Sequence, residues 1–288
     1  MTTTIKDFDV KEKIQWCPGC GNYGLITALK GAIADLGLLQ HETVITSGIG
    51  CSSKLPHYVD TYGFESIHGR SLPVASAIKL ANTKLNVIAV GGDGDGYGIG
   101  VQHFVHIMRR NYNLTYVVHD NQIYGLTTGQ ASPTSLLGMK TKTTPWGVIE
   151  QPFRPLAVAI NGGATFVARG YAGDPVHLKE LFKEAIQHKG FAFVDVFQPC
   201  VTFNKINTYP WFQERIYKLE GHNVEDKWAA LKKAYEDEET DYKKVPIGVF
   251  YKVNRPTYEE QLPQIKEKAL VDQKIGEVDL SGAYKELK

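Results

Sequence analysis

Seven side chains in this 288-residue chain have types and spacings that could do chemistry. Asp93 and Asp95 sit in Gly91-Gly-Asp-Gly-Asp-Gly-Tyr-Gly98, a turn with almost no side-chain bulk. Glycine lets a ligand approach the backbone, and carboxylates bracketed by glycine suit a hard cation, here Mg²⁺ holding a phosphate. Asn121 follows 28 residues after Asp93. Two oxygen ligands from neighbouring strand ends leave an octahedral Mg²⁺ room for a diphosphate, a backbone carbonyl and water. The bland alternative is that each residue merely caps its own turn; the paired spacing and the matching strand contexts argue against it.

The other four are cysteines. Cys17 and Cys20 are spaced so that two thiolates can hold one centre, and Cys51 and Cys200 each follow an expected strand end. Four thiolates bind structural zinc or an iron–sulfur cluster, and spacing alone does not separate the two. Structural zinc usually draws on two close pairs, whereas positions 51 and 200 are scattered.

These residues need a scaffold that brings strand ends together. Apolar runs at 43–46, 87–90, 114–118, 164–168 and 191–197 read as strands, the middle ones lacking any polar alternation. Helical spacing of apolar residues falls at 25–36, 72–84, 99–110 and 178–186, with Asp174-Pro175 starting the last. The alternation predicts an α/β fold: a doubly wound, mostly parallel sheet with sites at the strand C-ends. The formal Gly-x-Gly-x-x-Gly at Gly19, Gly21 and Gly24 follows no strand and is not read as a dinucleotide loop. Residues 123–155, rich in Gly, Thr, Ser and Pro, are long enough to be a binding loop or lid. From Val201 onward 31 of 88 residues are charged, against 32 of the first 200. We therefore expect a cofactor-binding domain over 1–200 and a charged, partner-facing extension over 201–288, with a helix at 228–235. A net charge of +1 argues against nucleic acid as partner. With no bilayer-spanning run and a polar N-terminus, a cytoplasmic protein without membrane attachment is expected.

The pair Gly92-Asp93-Gly94 and Asn121-Gln122 resembles the thiamine-diphosphate motif. Together with Cys17-Pro-Gly-Cys-Gly-Asn22, Gly48-Ile-Gly-Cys51, His68-Gly-Arg70, Asp120 to Gln130 and Pro199-Cys200, it resembles the β subunit of the 2-oxoacid:ferredoxin oxidoreductases. That resemblance implies Mg²⁺ held by Asp93, Asn121 and the Ile123 carbonyl. It implies thiamine diphosphate against Ile49, Gly50, Cys51, Ser52, His68, Gly94, Asp95, Gly125 and Leu126. It also implies a [4Fe–4S] cluster on Cys17, Cys20, Cys51 and Cys200. Lys54 and Leu126 would flank the thiazolium site and set substrate range, His68 would contact phosphate or substrate as a catalytic-site residue, and Arg70 is left open. The implied activity is coenzyme A-dependent oxidative decarboxylation of a 2-oxoacid such as pyruvate or 2-oxoglutarate, with electrons passing through the cluster to ferredoxin. No acid outside the metal turn stands out as the glutamate that faces the aminopyrimidine; Glu65, the nearest, reads as a loop residue. In the family that glutamate comes from the α subunit, so an α partner is expected. The competing expectation is a non-oxidative thiamine-dependent decarboxylase or synthase subunit with a structural Cys₄ zinc.

Overall fold

Strands that are apolar on both sides must be covered on both faces. The computed structural model, which describes residues 3–274, 276 and 279–287, places them in one eight-stranded sheet. The strands are β1 (Thr43–Ser47), β2 (Tyr62–Glu65), β3 (Asn86–Gly92), β4 (Leu114–Asp120), β5 (Phe166–Tyr171), β6 (Phe191–Phe197), β7 (Ile216–Lys218) and β8 (Val245–Lys252). Their order is β2-β1-β3-β4-β6-β5-β8-β7. All neighbours are parallel except β5 and β8. Every residue of β4 and β6 is buried.

Helices α1 (Asn22–Asp35), α2 (Ser71–Ala81), α3 (Val101–Arg110), α4 (Pro155–Gly162), α5 (Pro175–Gln187), α6 (Tyr209–Gln213) and α7 (Lys227–Ala234) supply the covering layers. Leu29 and Ile33 of α1 and Phe182 of α5 pack on Ile88, Val117 and Val194 on one face. On the other, Phe104, Leu156, Ile160 and Leu231 meet Ala89, Tyr116 and Phe193. Fully burying one such side chain is worth about 1.5–3 kcal/mol. Asp174 caps α5 as its sequence suggests, accepting the His177 amide at 3.1 Å. Among the described residues no helix is long and apolar enough to cross a membrane.

Several boundaries differ from those expected. The helix anticipated from residue 99 begins at Val101, because Gly94–Ile99 form a wide π-helical turn first, kinked at Gly98. The strand expected at 164–168 occupies 166–171: α4 ends on Gly163, whose φ is 90°, and two residues are used leaving it. Strand β2 is exposed along its whole length, so burial left no apolar run to read. The sheet continues past residue 200, where β8 pairs with β5. Asp237, also beyond 200, is buried and receives a 2.9 Å hydrogen bond from Arg169 Nη1, whose Nε donates to Asp195 at 3.2 Å.

Strand order reverses direction around β1. The chain goes outward from β1 to β2, then crosses back to lay β3 on the other side. A crevice opens at the carboxyl ends of β1 and β3, where doubly wound sheets bind ligands.

Candidate active site

Strand β3 ends at Gly92 and delivers Asp93 into the crevice, 2% exposed. Gly94 is obligatory in this arrangement: a Cβ there would lie 2.0 Å from Tyr124 Cε1. The Tyr124 hydroxyl donates to the Gly94 carbonyl at 3.2 Å. Thr134 Oγ1 sits 2.8 Å from Asp93 Oδ2 and 2.7 Å from Asp120 Oδ1. One hydroxyl has one proton, so both contacts are satisfied only if a carboxyl carries another. Burial pushes Asp93 up to about 6. It raises Asp120 well above the carboxylate range, with Asp195 and Asp93 adding repulsion. Asp120 is therefore the one that keeps its proton, and Asp93 is the oxygen donor a cation would recruit.

Asp95 does a different job. Its Oδ1 accepts from the Gly69 amide (2.7 Å), His68 Nδ1 (2.7 Å) and the Ile49 amide (2.9 Å). Its Oδ2 is buried without a partner, hemmed in where a Cβ on Gly48 would come within 2.0 Å. Asp95 thus clasps the loop after β1 and the loop before α2 to the glycine turn.

Strand β4 ends at Asp120, and Gln122, with φ of 58°, turns the chain. Asn121 Oδ1 accepts from the Ile123 amide and its Nδ2 donates to Gln198 Oε1, both at 3.2 Å. The three turns enclose a cavity of about 190 Å³. Ile49, Gly50, Cys51, Ser52, His68, Asp93, Gly94, Asp95, Asn121, Ile123, Gly125 and Leu126 all line it. Ser52 Oγ is buried there with no partner, and Gly92 faces it across a space that a Cβ would narrow to 3.4 Å.

Beside it lies a second cavity of about 180 Å³, lined by Cys17, Cys20, Cys51 and Cys200 with Lys54, Gln198 and Phe203. Three segments are stitched together to make it. The Trp16 indole donates to the Cys51 carbonyl at 2.8 Å, the Gly21 amide to the Pro199 carbonyl at 3.1 Å, and Gln198 Nε2 to Cys20 Sγ at 3.2 Å. Gly21 belongs to the rejected dinucleotide pattern: a Cβ on it would meet Pro199 at 2.9 Å, and one on Gly24 the Ala172 carbonyl at 2.1 Å, so both are packing glycines. Burial pushes the Cys20 thiol up to about 11, and the other three cysteines add repulsion. Cys51 is raised too, mainly by burial, against an opposing pull from Lys54. Four thiols so placed ionise together only around positive charge. Among the described residues no three His, Cys, Asp or Glu side chains converge tightly enough to grip a single ion.

Two family models cover most of the chain. Residues 48–196 match the thiamine pyrophosphate enzyme C-terminal TPP-binding domain. Residues 200–267 match the C-terminal part of the pyruvate ferredoxin oxidoreductase β chain. The chain is 49% identical over 263 residues to the β subunit of 2-oxoacid:ferredoxin oxidoreductase 1 of Aeropyrum pernix, covering 86% of this chain and 81% of that one. It is 48% identical to the corresponding subunit of Saccharolobus solfataricus, covering 86% and 85%. The chain belongs to the β subunits of the 2-oxoacid:ferredoxin oxidoreductases. Its fold is similar, at a TM-score of 0.91 and 40% identity over 99% of this chain and 96% of the other, to a 2-oxoglutarate:ferredoxin oxidoreductase from Magnetococcus marinus solved with 2-oxoglutarate, coenzyme A and succinyl-CoA.

In this β subunit the two cavities share a wall made of Cys51, Asn121, Gly125 and Leu126. A Cβ on Gly125 would stand 3.6 Å from Cys200 Sγ and 3.7 Å from Cys51 Sγ. Lys54 lines the cavity of the thiols, which adjoins the first across this wall. No glutamate lines that cavity among the described residues; Glu65 is 2.6 Å from His57 in a separate cleft. Thr134, Tyr124 and Gln198 were not anticipated. Gln198 had one signal, its place two residues before Cys200, whereas Thr134 lies in a loop with no local pattern around it.

Proposed function

We propose that the thiamine diphosphate, Mg²⁺ and [4Fe–4S] centres of a cytoplasmic enzyme for coenzyme A-dependent oxidative decarboxylation of a 2-oxoacid, with ferredoxin as electron acceptor, all reside in this chain. The observation that supports it most is the shared wall: the glycine-turn cavity and the four-cysteine cavity are one residue apart at Gly125. Asp93 and Asn121 side chains with the Ile123 carbonyl offer the oxygen donors Mg²⁺ prefers. The unpartnered Ser52 hydroxyl and side-chain-free Gly92 suit a diphosphate. Four thiols around a cavity, rather than around a point, suit a centre several atoms across.

Thiamine diphosphate supplies the carbanion and electron-sink chemistry when bound. The chain's own residues hold and shield it. Asp93, raised by burial only to about 6, is still a carboxylate at neutral pH and offers an incoming cation its oxygens. Asp95 fixes His68 and the Ile49 loop at the cavity edge. Gly125 keeps the partition to the thiols one backbone thick, favouring short electron transfer.

A cavity of about 190 Å³ is smaller than the roughly 300–1,000 Å³ of a complete small-molecule pocket. Its surroundings expose Ile49, Ile67, Ile99 and Leu126. Exposed apolar clusters mark contact surfaces, so we assign the missing half, including the glutamate facing the pyrimidine, to the α subunit. Joint expression of both subunits, anaerobic purification, metal and sulfide analysis, and a 2-oxoacid panel with ferredoxin and coenzyme A test this. Four irons per β subunit and activity only in the complex are expected. Zinc in place of iron, or full activity of the isolated chain, refutes it.

A further inference from the structure

Gln198 is the first residue after β6 and is 1% exposed. Its backbone amide donates to the Asp120 carbonyl at 2.9 Å, which ties the end of β6 to the end of β4. The polar atoms of its side chain are all engaged. Nε2 donates to the Pro199 carbonyl at 3.1 Å and to Cys20 Sγ at 3.2 Å, and Oε1 accepts from Asn121 Nδ2 at 3.2 Å. A glycine makes room for it, because a Cβ on Gly21 would come within 3.0 Å of Gln198 Cγ. Gln198 therefore hydrogen-bonds one side chain of each centre.

We propose that Gln198 is a positioning residue that couples the two centres: it sets the reduction potential of the cluster through Cys20 and the orientation of the Asn121 amide through its own carbonyl. The inference rests on the four-cysteine cluster reading above. An electron added to a cluster makes its sulfurs more negative, so an N–H donor to a ligating sulfur stabilises the reduced form and raises the potential. On the other side, capturing Asn121 Nδ2 leaves Asn121 Oδ1 facing the Ile123 turn, where a cation ligand is needed.

The two roles separate by substitution in the αβ complex. In Gln198→Glu the carboxylate still accepts from Asn121 but donates nothing to Cys20. Its EPR-monitored potential should fall by about a tenfold change in the one-electron reduction equilibrium, about 59 mV. Its affinity for Mg²⁺–thiamine diphosphate, by calorimetry, should stay within about twofold. Gln198→Met loses both bonds, so its potential should fall and its cofactor affinity should drop roughly tenfold, the low end for losing a supporting contact to a metal ligand. If the Glu variant fails to hold four irons, the Met variant decides. A wild-type potential in a variant with its cluster intact overturns the proposal. So does loss of the cluster from both, which would make Gln198 a mere strut of the cysteine loop. An absent cluster signal in the wild-type complex refutes the function reading instead.

Discussion

Replacing Asp95 with alanine should loosen the cofactor pocket without touching the thiols. Three donors converge on Asp95 Oδ1: the Gly69 and Ile49 amides and His68 Nδ1. The substitution leaves all three without that acceptor. An unsatisfied buried donor costs about 1–3 kcal/mol. His68 is partly exposed and can turn to water, and the Ile49 loop can partly relax. The net loss should be about 3 kcal/mol. A chain of this size loses roughly 2–4 °C of Tm per kcal/mol, so the melting temperature should fall by about 6–12 °C. The loops at 48–52 and 68–70 form one wall of the cavity, so the affinity for Mg²⁺–thiamine diphosphate should fall about tenfold or more. Iron content should remain at the wild-type level, since the Cys51 carbonyl is still held by Trp16. Differential scanning calorimetry, isothermal titration with the cofactor and iron analysis read the three effects. An Asp95→Ala protein with wild-type Tm and cofactor affinity refutes the clasp.

Asp93→Ala should abolish Mg²⁺-dependent cofactor binding while keeping the brown cluster colour; loss of both together would make the turn purely structural. Gly94→Ala drives a methyl into Tyr124 and should cost about 1–3 kcal/mol as an overpacked site; adding Tyr124→Ala should recover part of it, and strictly additive costs in the double variant would show that the contact is not the cause. Asp237→Ala strips one partner from buried Arg169 and should cost about 3–5 kcal/mol, read by urea unfolding. His188 has its pKa lowered to about 4, by burial first and then by Lys252. The unfolded chain then binds the extra proton below about 6.5, so stability is full above that pH and is lost as pH falls toward 4, by at most about 2 kcal/mol at pH 5. A His188→Gln variant with an unaltered stability slope between pH 6.5 and 5 would contradict this.

Most of the sheet was legible because its central strands lack polar alternation. Runs such as Phe191–Phe197 can only be buried on both faces, and their order in sequence implies crossover helices. Strand β2 was illegible for the opposite reason: Tyr62 and Phe64 are exposed, so its pairing with β1 leaves no pattern. Strand β8 was hidden by the charges around it, although Val245, Ile247 and Phe250 are fully buried. In the candidate site, side chains announced by glycine or by cysteine spacing line the two cavities, whereas those acting through long-range hydrogen bonds leave no local signal. Thr134 meets Asp93 across 41 residues and Gln198 meets Cys20 across 178; no local pattern encodes such pairs. Asp95 was legible as important but not as a clasp, because its three donors come from two other loops.

On the proposed function, the shared wall gives a reason for a glycine at position 125. A cofactor that passes electrons singly to a neighbouring centre needs a partition that blocks water yet adds little distance. A bulky side chain in place of Gly125 would intrude between the two cavities. Gly125 removes bulk at the point nearest Cys51 and Cys200, and Gly94 lets the Tyr124 ring lie flush on the metal turn. Leu126, exposed at the rim of both cavities, is then the first side chain of this wall available to a partner or a substrate. A Gly125→Val substitution should thus slow electron passage more than it weakens either centre. Rapid-freeze EPR of the αβ complex after mixing with 2-oxoacid would show slower cluster reduction at unchanged iron and cofactor content. Reduction at the wild-type rate would mean the electrons leave by another route.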